Sequence, residues 1–343
     1  MKSLLFSTVE EAISHIENYP NEGYVLHVPI SLIHKMSEKL TSDVVLCSTS
    51  GEYSANGYKN GSITGFSFDK AVAEIVEIVT PPIKSKQNLE TAYQKVKNNK
   101  NAFMLLLLDG LSGLEESVIS TLFFIDKSFK IIGGSAGDDL LFKETAIYIG
   151  KKRVKHVAIF FDMHKRTQLL KENIYVPYGD KLLITSADPI GRTVKTINGE
   201  PAATAYAKAL SIPESQLADH FMNNPLGKIY EDEVLIASPM KINGDKSITF
   251  YCQMMPNTFV YLLKPVNPVD KLENTLDTLN FRPSFLYVIN CILRSLKFQQ
   301  DGTWEKFDAT VLNTCPNTTG FISYGEQFYT HHVNQTMVML AVE

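Results

Sequence analysis

Ile131-Ile132-Gly133-Gly134-Ser135-Ala136-Gly137-Asp138-Asp139 is the stretch around which the chain is organised. Two β-branched residues close an apolar run, and a turn of small residues then delivers two carboxylates. Glycine stands where a backbone turns tightly or approaches something closely. Successive turn N–H groups form an anion-binding concavity, while Ser135, Asp138 and Asp139 can hold amines or hydroxyls. The plainer reading is a strand-to-strand turn with solvated acids. Recurrence weighs against it. Thr49-Ser50-Gly51-Glu52 and Ser323-Tyr324-Gly325-Glu326 repeat the pattern of hydroxyl, any residue, glycine, acid, and each follows a strand-like segment.

With 343 residues, two domains are the default expectation. Hydrophobic content of 44% and charged content of 20% describe an ordinary globular chain. A net charge of −4, with no Lys/Arg stripe, argues against a nucleic-acid partner. Cys47, Cys252, Cys291 and Cys315 are scattered without metal or dithiol spacing, which suits a reducing cytoplasm. The N-terminus turns polar too soon for a signal peptide, and the longest apolar run, 102–108, is far below a membrane span. No membrane insertion is expected.

Residues 8–19 read as an amphipathic helix with a Thr8/Glu11 capping box, followed by a strand at 24–28, a helix at 29–40 and a strand at 44–47. Strands at 62–68 and 71–79 precede a helix capped by Asn88. The run 102–108, apolar throughout, predicts a strand buried on both faces. A helix from Ser112 and Glu115 through Phe123 then leads to the strand 129–132. Parallel pairing of these two strands would set Asp109 and the 133–139 loop at the sheet edge where α/β proteins bind ligands. A hairpin of 146–149 with 154–161 is expected across Gly150-Lys151-Lys152, and a transition at 165–200. The second half repeats the order: hairpin strands, a helix, an apolar strand at 285–291, a short strand, the third acid loop and a closing strand. The fold class is therefore α/β or α+β, with two modules of mixed β-sheet flanked by helices and a weak internal duplication. The modules are 1–185 and 186–343, with a ligand cleft expected between them.

Leu46-Cys47-Ser48-Thr49-Ser50-Gly51-Glu52, the 132–139 loop, and Gly320-Phe321-Ile322-Ser323-Tyr324-Gly325-Glu326 with Asn334-Gln335-Thr336 together resemble the FIST (F-box and intracellular signal transduction) sensory proteins. Asn290-Cys291-Ile292-Leu293-Arg294 resembles the family's Ser-Cys-x-x-Arg strand end, with asparagine in place of serine. The resemblance covers nearly the whole chain. It implies a small-ligand sensor for amino acids or related metabolites, signalling to a separate partner such as a histidine kinase. Thr49, Ser50, Glu52, Gly134, Ser135, Gly137, Asp138, Asp139, Arg294, Tyr324, Gly325, Glu326 and Asn334 are the expected ligand contacts. The acids suit an ammonium, and Arg294 with the loop backbone suits a carboxylate. Some members resemble haem-binding nitric-oxide sensors. No cofactor is required by the residues, but haem b held by His332, His331 or His220 is the alternative, non-covalent because Cys-x-x-Cys-His is absent. An enzyme reading would use Ser135, Asp138 and His332 as a hydrolytic set. No Gly-x-Ser-x-Gly elbow supports it, and no catalytic activity is expected.

Overall fold

The computed structural model describes residues 1–40, 43–230 and 233–343. They form two compact units: Met1–Glu172 with Leu272–His332 and Met337–Glu343, and Asn173–Lys271 with Val333–Thr336. The expected boundary at 185/186 divides the chain linearly. Each spatial unit is instead drawn from separated stretches of the chain, three for the first and two for the second.

The first unit is built on one pattern used three times. In the first repeat, the strand Lys2–Phe6 and helix Val9–Asn18 lead to Glu22–Pro29, helix Ile30–Ser37 and Val44–Thr49. An acid loop follows, then the hairpin Glu52–Ser54 and Gly57–Lys59, then the return strand Ile63–Asp69. The second repeat runs Ala73–Ile78, Lys86–Val96, Phe103–Leu108, Glu115–Phe123 and Ile131–Ser135. Its hairpin is Ile147–Ile149 with Lys152–Val154, and its return strand is His156–Phe161. The third opens with Thr167–Asn173, receives the second unit as an insertion, and resumes at helix Pro268–Leu276. It continues through Phe285–Cys291, two helices, Thr318–Ser323, the short strands Glu326–Phe328 and His331–Val333, and Thr336–Val342. The repetition expected between two halves is thus threefold.

Each repeat keeps a parallel pair at the centre of its sheet, and all three pairs are in register up to the loop hydroxyl: Pro29 with Thr49, Leu108 with Ser135, Cys291 with Ser323. Each repeat also gives its hairpin away. Glu52 and Tyr53 pair with Phe321 and Gly320, Glu326–Phe328 pairs with Gly134–Ile132, and Ile147–Ile149 pairs with Cys47–Val45. The three sheets are therefore linked in a closed cycle. For the same reason 147–154 and 156–161 are not the single hairpin expected from sequence. The first lies in the sheet of Val44–Thr49 and the second beside Phe103–Leu108.

Helices lie on the outer faces because each is apolar on one side only. Val9, Ala12, Ile13 and Ile16 pack with Ile33 and Met36 over the first sheet. Leu89, Ala92, Val118 and Leu122 do the same over the sheet of Phe103–Leu108. The inner faces share one core, in which Val25, Cys47, Leu105, Leu107, Ile132, Tyr287, Ile289 and Phe321 meet. Strands covered on both sides must be apolar on both sides, which explains 103–108 and 285–291. Leu107 is wholly buried, so Leu107→Ala is expected to cost about 2–5 kcal/mol in a urea melt. A loss under about 0.5 kcal/mol would contradict the packing.

Local signals fared unevenly. Thr8 caps its helix, accepting from Glu11 N at 3.1 Å, while the Glu11 carboxylate accepts from Ser7 N at 2.8 Å. Asn88 is not a cap, because a 3₁₀ turn at Pro82–Ser85 starts that helix earlier, at Lys86. In the second unit, the long strand Tyr175–Asp188 pairs with Thr258–Pro265 and Thr193–Ile197, and helix Ala202–Leu210 packs its alanines and Tyr206 against Ile184, Ile197 and Leu262.

Candidate functional site

The three acid loops meet. Ser50 N donates to Ile322 O at 3.1 Å and Ile322 N to Gly51 O at 2.8 Å, joining the first loop to the third. Gly137 N donates to Ser48 O at 3.0 Å, joining the second to the first. Ser135 N donates to Gly325 O at 2.9 Å and Tyr324 N to Ser135 O at 3.0 Å, completing the circuit. Contact this close requires glycine: a Cβ on Gly137 would lie 2.2 Å from Ser50 Oγ.

Within this junction the three acids differ. Thr49 Oγ1 donates to the Glu52 carboxylate and Ser323 Oγ to that of Glu326, so two loops close the same bond across three residues. Asp138 is one methylene shorter and turns the other way. Its carboxylate accepts from the N–H groups of Phe142, Lys143 and Glu144 at 3.0, 2.7 and 2.9 Å, and from the Tyr324 hydroxyl. Burial opposes its ionisation, but these four donors outweigh burial and hold the carboxyl below the usual range. Ser135 Oγ is left to accept from Gln327 Nε2 at 3.1 Å.

Glu52 and Asp139 carry the opposite bias. Burial lifts Glu52 to about 7, against the hydrogen bonds from Thr49 and Ser62 N, and the charge of Asp139 adds to the lift. Asp139 is raised by burial and by the neighbouring Asp138. Among the described residues neither forms an ion pair with a lysine or arginine. Beside them Tyr58 stacks on Trp304 at 4.6 Å and shares its hydroxyl with Asn60 and Gln299. Tyr58, Asn60 and Gln327 went unmarked in the sequence because they lie on donated hairpins or just beyond them.

A family model for the FIST N domain matches residues 25–200, and one for the FIST C domain matches 202–329. The chain belongs to the FIST family. FIST domains are sensory domains of signal transduction. No curated protein matches the chain.

The FIST contacts expected in the loops, Thr49, Ser50, Glu52, Gly134, Ser135, Gly137, Asp138, Asp139, Tyr324, Gly325 and Glu326, all belong to the first unit. Gly134 is in the sheet, paired with Glu326. Arg294 is wholly buried in an ion pair with Glu172, with its guanidinium carbon 4.8 and 5.0 Å from the rings of Phe298 and Phe307. Asn334 belongs to the second unit and is buried. His220 Nδ1 lies 3.1 Å from Asn224 Oδ1. His331 opens a short strand, and His332 Nδ1 is 3.3 Å from Gln327 Nε2. Gln327 thus stands between Ser135 and His332, and Asp138 is committed to backbone N–H groups, so the hydrolytic set is not hydrogen-bonded together. Two cavities, of about 360 and 310 Å³, are lined without histidine. Among the described residues no cluster of His, Cys, Asp and Glu suits a metal ion, and no helix is long and apolar enough to cross a membrane.

Proposed function

We propose that this protein is a cytoplasmic, non-catalytic sensor of a small amine-bearing metabolite, an amino acid or a close relative. It binds this ligand where the three loops meet and passes its state to a separate signalling protein such as a histidine kinase. The observation that carries the reading is a pair of acids at the loop junction, Glu52 and Asp139, both raised by burial and, among the described residues, neither in an ion pair with a lysine or arginine. An ammonium would supply the missing charge and gain charge-assisted hydrogen bonds. The serine and threonine hydroxyls and turn carbonyls around it add neutral acceptors. Arg294 is engaged by Glu172, so a ligand carboxylate would rely on backbone N–H groups. Four free, buried cysteines agree with a reducing compartment.

Titration calorimetry against a panel of amino acids and simple amines tests this. A true ligand at about 100 times its dissociation constant should stabilise by about 2.7 kcal/mol. Glu52→Gln should weaken its binding by about 2–5 kcal/mol. Failure of every panel member, or unchanged affinity in Glu52→Gln, would refute the amine reading. A Soret band in the purified protein would turn it toward haem. Ester hydrolysis lost on Ser135→Ala would turn it toward an enzyme.

A further inference from the structure

The two helices of the first repeat, Val9–Asn18 and Ile30–Ser37, leave a cavity of about 360 Å³ over the start of the parallel strands they cover. Its floor is Tyr24 and Val44, the first pair in the register of those strands, and its apolar walls are Ile13, Ile16 and Leu40. All five are more than nine-tenths buried. The acid loop lies at the opposite end of the same strands, where Pro29 pairs with Thr49, about 17 Å away.

The second repeat shows what fills this place elsewhere. Leu89, Ala92, Tyr93 and Val96 hold the helix positions of Val9, Ala12, Ile13 and Ile16, and Met104 with Ile131 those of Tyr24 with Val44. There the Tyr93 ring meets Phe129 edge-on at 5.3 Å, its hydroxyl donates to Asp126 at 2.6 Å, and Leu122 and Ile125 close the gap. The space left is about 10 Å³. In the first repeat Ile13 stands for the tyrosine, and residues 38–43 hold one apolar residue, Leu40. Protein cores are otherwise packed without voids of this size, so the opening is particular to one repeat.

The mouth is electronegative. Glu17, Glu22 and Asp43 line it with Lys39 and Lys70, and Lys70 is already engaged, donating to Asp43 at 2.8 Å and to Pro20 O at 2.7 Å. Glu22 lies 3.8 Å from Lys2, a largely exposed side chain. Both helices also end here, at Asn18 and Ser37, and their carbonyl ends add partial negative charge.

We propose that this cavity binds a small amphiphilic cation, an ammonium on an apolar body. The body lies against Ile13, Ile16, Leu40 and Tyr24, and the head sits among Glu17, Glu22 and Asp43 at the mouth. Its volume is that of a small-molecule pocket. Burial of apolar surface holds the body, and the charges at the mouth select the sign of the head. The site is separate from the junction of the acid loops and uses none of its residues.

Octylammonium is the probe, with octanoate and octanol as matched anionic and neutral controls. Calorimetry should show octylammonium binding to the parent protein, and intermolecular NOEs should connect its chain to the methyl groups of Ile16 and Leu40. Octanoate should bind about tenfold more weakly. Ile13→Tyr, which copies the second repeat, should weaken the amine about tenfold or more by filling the space. Glu17→Gln, at an exposed side chain, should weaken it about two- to fivefold and leave octanol unchanged. Glu52→Gln should keep full affinity for octylammonium, whereas a ligand of the loop junction is weakened by that change, so the two readings fail separately. Absence of octylammonium binding, equal binding of octanoate, NOEs outside this cavity, or unchanged affinity in a folded Ile13→Tyr overturns the proposal. If Ile13→Tyr does not fold, the NOEs in the parent protein carry the test.

Discussion

Replacing Arg294 by methionine is expected to cost about 3–5 kcal/mol, among the larger single losses in the protein. The guanidinium and the Glu172 carboxylate are both wholly buried, and Arg294 Nη1 also donates to Glu172 O at 3.1 Å. Taking the arginine away strands a carboxylate where water cannot reach it, and the cost is mostly that of the charge left behind. The pair itself has bought little, because two ions were desolvated to make it. Arg294→Met with Glu172→Leu should therefore recover most of the loss. Denaturant melts of the two single variants and the double variant decide it. Additive losses in the double variant would show that the two side chains act separately.

Acid should destabilise the protein through two histidines and stabilise it through one glutamate. His27, stacked on Phe321 at 4.4 Å with Nε2 2.8 Å from the Tyr287 hydroxyl, is held neutral by burial, its pKa pushed down to about 3. His156, whose Nδ1 accepts from Asp109 N at 3.2 Å, is pushed to about 4 by burial, against the pull of Asp109. An unfolded histidine takes its proton near pH 6.5, so stability from these groups is complete above that value and lost as pH falls toward 4 and 3. From pH 7 to pH 5 each accounts for about 2 kcal/mol. Glu52 works in reverse. Its native pKa is raised, so over that interval the native state takes up the proton and gains about 2 kcal/mol. Counting these three groups, the parent should lose about 2 kcal/mol, Glu52→Gln about 4, and His27→Gln, which keeps an acceptor for Tyr287, close to nothing. Melts at the two pH values measure all three. Equal losses in parent and Glu52→Gln would place the Glu52 pKa in the ordinary range.

The fold was legible wherever the signal is local. Periodicity found the amphipathic helices, unbroken apolar runs found the central strands, and the hydroxyl-x-Gly-acid pattern found all three loops that meet. The threefold order was hidden for two physical reasons. The third copy is interrupted by Asn173–Lys271, and the hairpins pair with sheets distant in sequence, so neighbours such as Val154 and His156 part company. Individual roles were less visible still. Nothing in Asp138 announces that its partners are backbone N–H groups four to six residues on. The counter-ion of Arg294 is 122 residues away, which no spacing rule reaches.

The donated hairpins have a consequence for how the chain is made. The first sheet lacks its outer strands until residues 147–154 emerge, and the strand Ile131–Ser135 is unpaired on one side until Glu326–Phe328 arrives. Such long-range closure delays folding, and a nascent chain carries raw β-edges for most of its synthesis. Two chains at the same stage can satisfy each other's edges by exchanging hairpins. Crowded translation should therefore yield swapped dimers in preference to disordered aggregates.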